Sequence, residues 1–297
     1  MSRNVAQFPQ QTSLSEQADA PPETDTPRSP EVFYRPPEPD DDPVRRRRRG
    51  IYLLPNSFTA AALFCGFYAI VMAMSGRYDS AATAIFAAMV LDSLDGRVAR
   101  MTNTQSEFGA QFDSLADMVS FGAAPALIIY EWSLRGLGKL GWLAAFVYCA
   151  GAALRLARFN TNVAVIDKRY FQGLPSPAAA ALVAGFLWIM TDAGVQGAHV
   201  AWFSFVITLF AGLTMVTNVP FYSFKDVSFR RSVPFISIFL IVLLIGLIAY
   251  QPPLVLFGLF VLYGLSGYGV YVWHRLKGRP VSVIATSVDE PDERGLH

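Results

Sequence analysis

Residues 92–117 read DSLDGRVARMTNTQSEFGAQFDSLAD: two carboxylate pairs, Asp92/Asp95 and Asp113/Asp117, at the ends of a polar stretch set between two long apolar runs. Charges at membrane depth are costly and mark a functional path or a metal. On a helix, residues three or four apart share a face, so each pair projects together. Two such helix ends laid side by side bring four carboxylates to one place. Left unneutralised they repel one another, and divalent cations are the matching partner. Hard oxygen ligands with no His or Cys nearby favour Mg²⁺ or Mn²⁺, with Ca²⁺ also open, over zinc. The competing reading is a set of helix-end acids exposed in a loop.

The apolar runs around this stretch decide the fold class. Spans of about 20 residues, the length a bilayer requires, are expected near 54–75, 79–101, 113–133, 139–160, 174–192, 199–217, 232–250 and 254–274. That makes an all-α, polytopic membrane bundle of about eight transmembrane helices. Composition agrees: 53% of the 297 residues are hydrophobic and 16% charged, against ~25% charged in soluble domains. A net charge of +1 gives no basic face for nucleic acid. Cys65 and Cys149 lie inside apolar runs, where a thiol acts as a small hydrophobe, so neither a disulfide framework nor a Cys metal site is expected.

The chain divides by composition. Residues 1–50 form a Pro-rich acidic tail, expected to be disordered, that ends in Arg45 to Arg49. No apolar h-region precedes those arginines, so the tail does not read as a signal peptide. A basic cluster directly before a span reads as a topogenic anchor rather than a nucleic-acid patch. Residues 51–230 carry the expected catalytic membrane core, 231–275 two additional spans, and 276–297 a tail.

Loop charge orients the bundle. With a cytoplasmic N-terminus, one side receives Arg97, Arg100, Arg155, Arg158, Lys168, Arg169, Lys225, Arg230, Arg231, Arg275, Lys277 and Arg279, and the other only Arg77, Arg135 and Lys139. The positive-inside rule then places both termini and the acid-rich stretch at the cytoplasmic face, with the cell (inner) membrane as the expected location.

Other residues at that level invite chemistry. Gly96 and Gly109 let backbone or ligand approach the carboxylates, although glycine also serves helix packing. Arg100 contacts a phosphate or snorkels to the surface. Asn56, at the start of the first span, caps the helix or hydrogen-bonds nucleotide phosphates. Arg155 and Arg158, about one turn apart, offer guanidinium groups to a carboxylate substrate, or anchor the span by positive-inside charge. Lys225 is a weaker candidate of the same kind. Gly173, Pro175 and Pro177 shape a turn into the fifth span, and His199 and His274 receive no ligand role.

The pattern Asp92-x-x-Asp95-Gly96-x-x-Ala99-Arg100, eight residues, Gly109, three residues, Asp113, three residues, Asp117 resembles the signature of the CDP-alcohol phosphatidyltransferases at all eight defined positions. The resemblance implies a membrane enzyme with a six-helix catalytic core that moves a phosphatidyl group from a CDP-activated lipid to an alcohol and releases CMP. It implies two metal ions held by the motif aspartates, Asp92, Asp95, Asp113 and Asp117, with Asp117 also the base. CDP contacts would come from Asn56, Gly96, Ala99, Arg100 and Gly109. It also implies a homodimer, for which Ala144, Ala145, Ala150 and Gly151 would allow close helix contact.

Four further stretches look like the serine-using branch of that family: 54–59 with 64–67, 153–160, 171–177 and 219–226. That likeness implies CDP-diacylglycerol and L-serine as substrates, with Arg155, Arg158 and Lys225 at the acceptor, and covers roughly 51–230. A relative using glycerol 3-phosphate or an inositol phosphate is the nearest alternative. A divalent-cation transporter is the alternative from another class, but no matching broken helix appears in a second half of the chain.

Overall fold

A computed structural model describes residues 43–102, 104, 106–161, 170–222 and 235–277; side chains are described from Pro55 onward, apart from those of residues 170, 171, 222, 235, 274 and 275. Lys225, the loops carrying Lys168, Arg169, Arg230 and Arg231, and residues 1–42 and 278–297 of the tails lie outside the described residues, whereas residues 43–50, expected in the disordered tail, are helical.

The described chain is helical, as the apolar runs require. In order come α1 Pro43–Met74, α2 Tyr78–Met101, α3 Glu107–Asp117, a widened π turn Met118–Ala123 leading into α4 Ala124–Trp132, α5 Lys139–Thr161, α6 Ser176–Asp192, α7 Ala201–Val216, α8 Phe235–Tyr250 and α9 Pro252–Leu276. Among the described residues, five segments are long and apolar enough to cross a membrane: Pro55–Met74, Glu107–Trp132, Lys139–Thr161, Gly197–Val216 and Pro252–Trp273. The helices α6 and α8 are apolar but shorter. Each of the eight expected spans falls on a helix. The second does not rank among the most apolar ones because α2 carries Asp79, Asp92, Asp95, Arg97 and Arg100. Several apolar helices in one chain make this a membrane protein.

The bundle is built around α6. Nearly every residue from Ser176 to Leu187 is buried, and its run of alanines lets α2, α4, α7 and α9 pack close to it. Small residues do the same between α5 and α7, where Gly151 and Gly212 meet so closely that a Cβ on Gly151 would overlap the Gly212 carbonyl. Ala144 and Ala145 are also buried inside the chain. These small residues, read from sequence as open to a dimer contact, are used within the protomer.

Three local features differ from the sequence reading. The first helix begins at Pro43 and runs through Pro55, so Asn56 lies inside α1 and does not cap it. The third helix starts at Glu107, six residues before Asp113, because Ser106 caps it: Ser106 Oγ accepts the Gly109 N–H at 3.0 Å. The acids therefore sit in the second and third turns, where the helix geometry holds them. A short antiparallel pair was also missed, β1 Tyr170–Gln172 on β2 Pro220–Tyr222, with Phe171 opposite Phe221. Gly173 follows β1 at φ +75°, a conformation suited to glycine, and a Cβ there would collide with the Met215 carbonyl.

The π turn after α3 is pinned on both sides. Ser120 Oγ donates to Ala62 O of α1 at 3.1 Å, and the fully buried Tyr148 of α5 donates its hydroxyl to Phe121 O at 3.0 Å. A widened turn leaves carbonyls without their usual partners; the Tyr148 hydroxyl bonds to one of them, Phe121 O, while Ser120 ties the turn outward to α1. The consequence for the site is that Asp117, the residue just before the turn, has a fixed position between α1 and α5.

Candidate active site

The two carboxylate pairs meet as their spacing requires. One carboxylate oxygen each from Asp92, Asp95 and Asp113 lie within 4.8 Å of one another. Asp117 stands beside this trio, within hydrogen-bonding reach of Asp92 and near Asp113. The chain thus juxtaposes α2 and α3, and all four acids converge.

Each acid has a different neighbour. Asp95 is 5% exposed, and Thr59 of α1 places its hydroxyl 2.8 Å from Asp95 Oδ2 and 3.3 Å from Pro55 O. A hydroxyl has one proton, and the shorter contact to a carboxylate takes it. Asp113 Oδ1 is buried with no hydrogen-bond partner among the described residues. An orphaned carboxylate oxygen inside a three-acid cluster is what a cation ligand looks like before its ion is bound, since burying an unpaired anionic oxygen otherwise costs several kcal/mol. The donor set is oxygen only and fits a hard divalent cation.

Beside the trio opens a cavity of about 520 Å³ bounded by α1, α2, α3 and the end of α5. Asp95 and Asp113 line its edge, and so do all five residues expected to touch CDP: Asn56, Gly96, Ala99, Arg100 and Gly109. Nothing lies within 4 Å of where a Gly96 side chain would begin, so that wall is open to a ligand. Gly109 is different. A Cβ there would sit 3.2 Å from Asn56 Oδ1 and 3.1 Å from Ser106 Oγ, so glycine is what lets α3 approach Asn56. Arg100 donates its Nε–H to Gly96 O at 2.9 Å, which leaves its terminal amino groups for other acceptors.

Of the residues expected at the acceptor, neither Arg155 nor Arg158 lines this cavity, and Lys225 lies outside the described residues. Arg155 is close enough to Asp117 to interact with it electrostatically, and donates from Nη1 to Ser176 Oγ at 2.6 Å. Arg158 faces another way. Its two terminal nitrogens donate to Val216 O (3.3 Å), Asn218 Oδ1 (3.0 Å), Gln172 O (3.1 Å) and Thr217 O (3.3 Å). That geometry ties the end of α5 to the chain leaving α7 and to β1, and it occupies the guanidinium fork. We expect Arg158→Gln to lower stability by roughly 2 kcal/mol through the stranded carbonyls, seen as a lower melting temperature in detergent. An unchanged melting temperature with a weakened acceptor KM would return Arg158 to the acceptor site.

Sequence reasoning passed over Thr59 and Ser106. Ser106 had a local signal, a capping residue directly before an acidic first turn. Thr59 had none, because its partner Asp95 is 36 residues away.

The sequence model of CDP-alcohol phosphatidyltransferase matches residues 52–214, more than half of the chain and the whole of the site. A Helicobacter pylori protein named CDP-diacylglycerol--serine O-phosphatidyltransferase is 37% identical over 223 residues, covering 72% of this chain and 90% of its own. A Saccharomyces cerevisiae protein of the same name is 42% identical over 139 residues, 42% of this chain and 50% of its own. A third, from Methanocaldococcus jannaschii, is 36% identical over 137 residues, 46% of this chain and 61% of its own. With its eight signature residues gathered around one carboxylate cluster and one cavity, the chain belongs to the CDP-alcohol phosphatidyltransferase family.

Proposed function

We propose that this chain transfers the phosphatidyl group of CDP-diacylglycerol to the hydroxyl of L-serine, releasing CMP and forming phosphatidylserine for phospholipid synthesis. The observation that carries the reading is the division of the site. Asn56 and four signature residues, Gly96, Ala99, Arg100 and Gly109, share one cavity with Asp95 and Asp113, whereas Arg155 does not line it and interacts electrostatically with Asp117. A donor nucleotide in that cavity and an acceptor carboxylate at Arg155 would meet at the same acids. The serine-transferring names of the relatives from three domains of life support the choice of acceptor.

In this reading Asp92, Asp95 and Asp113 hold divalent cations, two in number and Mg²⁺ or Mn²⁺ in kind, with Asp117 able to contribute. When bound, such ions supply charge neutralisation for the pyrophosphate and the departing CMP. The protein's own groups do the rest. Asn56, Arg100 and the open backbone at Gly96 and Gly109 bind and orient the nucleotide, and Thr59 fixes the Asp95 carboxylate. Asp117 accepts the serine hydroxyl proton as the serine oxygen bonds to the lipid-bearing phosphorus and the bond to the CMP oxygen breaks. Arg155 receives the serine carboxylate.

The same proposal places this chemistry at the cytoplasmic face of the cell membrane, where loop charge puts α2 and α3. It also includes a homodimer whose contact does not use Ala144, Ala145 or Gly151. The test is CMP release by membranes containing the protein, given CDP-diacylglycerol, Mn²⁺ or Mg²⁺ and a panel of radiolabelled alcohols. Release with serine, abolished by EDTA, is the expected result. Release only with glycerol 3-phosphate or an inositol phosphate would change the acceptor, and no release with any alcohol would reject the transferase reading.

A further inference from the structure

Thr59 reaches the carboxylate cluster from α1, a helix that supplies none of its acids. It lies one turn past Pro55, is 4% exposed, and lines the cavity together with Asp95 and Asp113. Its hydroxyl is 2.8 Å from Asp95 Oδ2 and 3.3 Å from Pro55 O. A helical threonine has few χ1 choices, and one of them brings Oγ1 back to the carbonyl four residues earlier. At Thr59 that rotamer also delivers the hydroxyl to Asp95. Both side chains are buried, so little water competes for the bond.

A carboxylate held in this way has two unlike oxygens. Oδ2 is engaged by α1, and turning it onto a cation would break its bond to Thr59. Oδ1 is the oxygen that Thr59 leaves to the cluster. Cations differ in what they ask of such a group. Mg²⁺ demands a near-octahedral set of single oxygens, and Mn²⁺ shares that geometry. Ca²⁺ takes about six to eight oxygens and readily accepts both oxygens of one carboxylate. A hydroxyl that occupies one oxygen of a ligand therefore bears on which ion the cluster holds best.

We propose that Thr59 is a positioning residue that sets the cation preference of this centre: by holding Oδ2 it limits Asp95 to coordination through Oδ1 alone, which favours Mg²⁺ or Mn²⁺ over Ca²⁺. This rests on the reading of Asp92, Asp95 and Asp113 as cation ligands given above. It assigns the choice among the three ions that an all-oxygen donor set leaves open, and it gives that choice to a side chain outside the eight signature positions.

The experiment uses the full-length protein purified in lipid-detergent micelles. Mn²⁺ is titrated while electron paramagnetic resonance follows the free ion, and Ca²⁺ is then added to displace it. Thr59→Val keeps the shape of the side chain and removes the hydroxyl. It is expected to raise the Kd for Mn²⁺ about tenfold, the lower end of the range for losing a partner that orients a metal ligand. The Kd for Ca²⁺ is expected to stay close to wild type, because the released carboxylate can turn both oxygens to the larger ion, so the preference for Mn²⁺ over Ca²⁺ falls about tenfold. Thr59→Ser retains the hydroxyl and is expected to keep the wild-type preference. An unchanged preference in Thr59→Val overturns the proposal, and so does an equal loss of both ions, which would make Thr59 a packing residue. A Thr59→Ser protein that loses the preference as Thr59→Val does overturns it as well. A wild-type protein that binds neither ion overturns the metal reading first, whereas wild-type binding with an indifferent Thr59→Val overturns only the role given to Thr59.

Discussion

Asp117→Asn is expected to fold normally, to keep its response to divalent cations and to lose turnover by about 10³-fold, the middle of the range that a positioned general base contributes. Asparagine has the size of aspartate and retains a carbonyl oxygen, so packing beside Asp92 and Arg155 is preserved. It cannot accept a proton at pH 7. The position is also rigid, because the π turn that follows is tied to α1 through Ser120 and to α5 through Tyr148. A substitution there does not relax into another conformation that rescues the chemistry. Three carboxylates gather within 4.8 Å of one another without Asp117, so the Mn²⁺ concentration that half-saturates residual activity should change little. The measurement is CMP release by the purified variant at saturating Mn²⁺ beside its cation titration. Full activity refutes the assignment of Asp117 as base, and a large shift in the cation midpoint makes Asp117 chiefly a ligand.

The parts of this site visible in the sequence share a physical character. Asp92 with Asp95, and Asp113 with Asp117, are helical neighbours, so spacing alone put each pair on one face. The apolar runs were equally plain, because a bilayer imposes length and hydrophobicity on each segment by itself. What could not be read depends on contacts between distant segments. Asn56, at the start of the first apolar run, read equally as a helix cap and as a phosphate contact. The helix instead begins at Pro43, so Asn56 lies inside it, close against Gly109 of α3 at the cavity. Arg158 read as half of a fork with Arg155. Its actual partners, the carbonyls of Gln172, Val216 and Thr217, are backbone atoms that no side-chain pattern announces. The strands β1 and β2 are three residues each, too short to leave an alternating pattern. Tyr263 is one of many aromatic residues on the membrane helices, and only its packing against Phe221 separates it from an interfacial anchor.

Asp113→Asn should show the opposite signs in stability and activity that a metal-binding carboxylate produces. Without cations, the wild-type protein holds three carboxylates close together, and Asp113 Oδ1 is buried with nothing to bond to. Removing one of those charges relieves repulsion and leaves a neutral amide in the same space. In EDTA the variant should therefore melt above wild type, by roughly 2–4 °C for about 1 kcal/mol of relief. Adding Mn²⁺ should reverse the order. An ion at about 100 times its Kd stabilises the folded protein by about 2.7 kcal/mol, and a variant with one ligand fewer reaches that occupancy only at much higher concentration. Turnover at a fixed Mn²⁺ concentration should fall by at least about 100-fold, beyond the loss typical of residues that merely support a ligand. Paired melting curves and CMP release, each with EDTA and with a Mn²⁺ series, check this. A purely structural acid would behave differently: Asp113→Asn would melt below wild type in EDTA, and both proteins would respond equally to Mn²⁺. That outcome would remove Asp113 from the metal set and leave its buried oxygen to be explained by packing alone. The crossing of the two melting series with cation is specific to a cluster whose charge is kept for an ion, because only then does the same carboxylate weaken the empty protein and strengthen the loaded one.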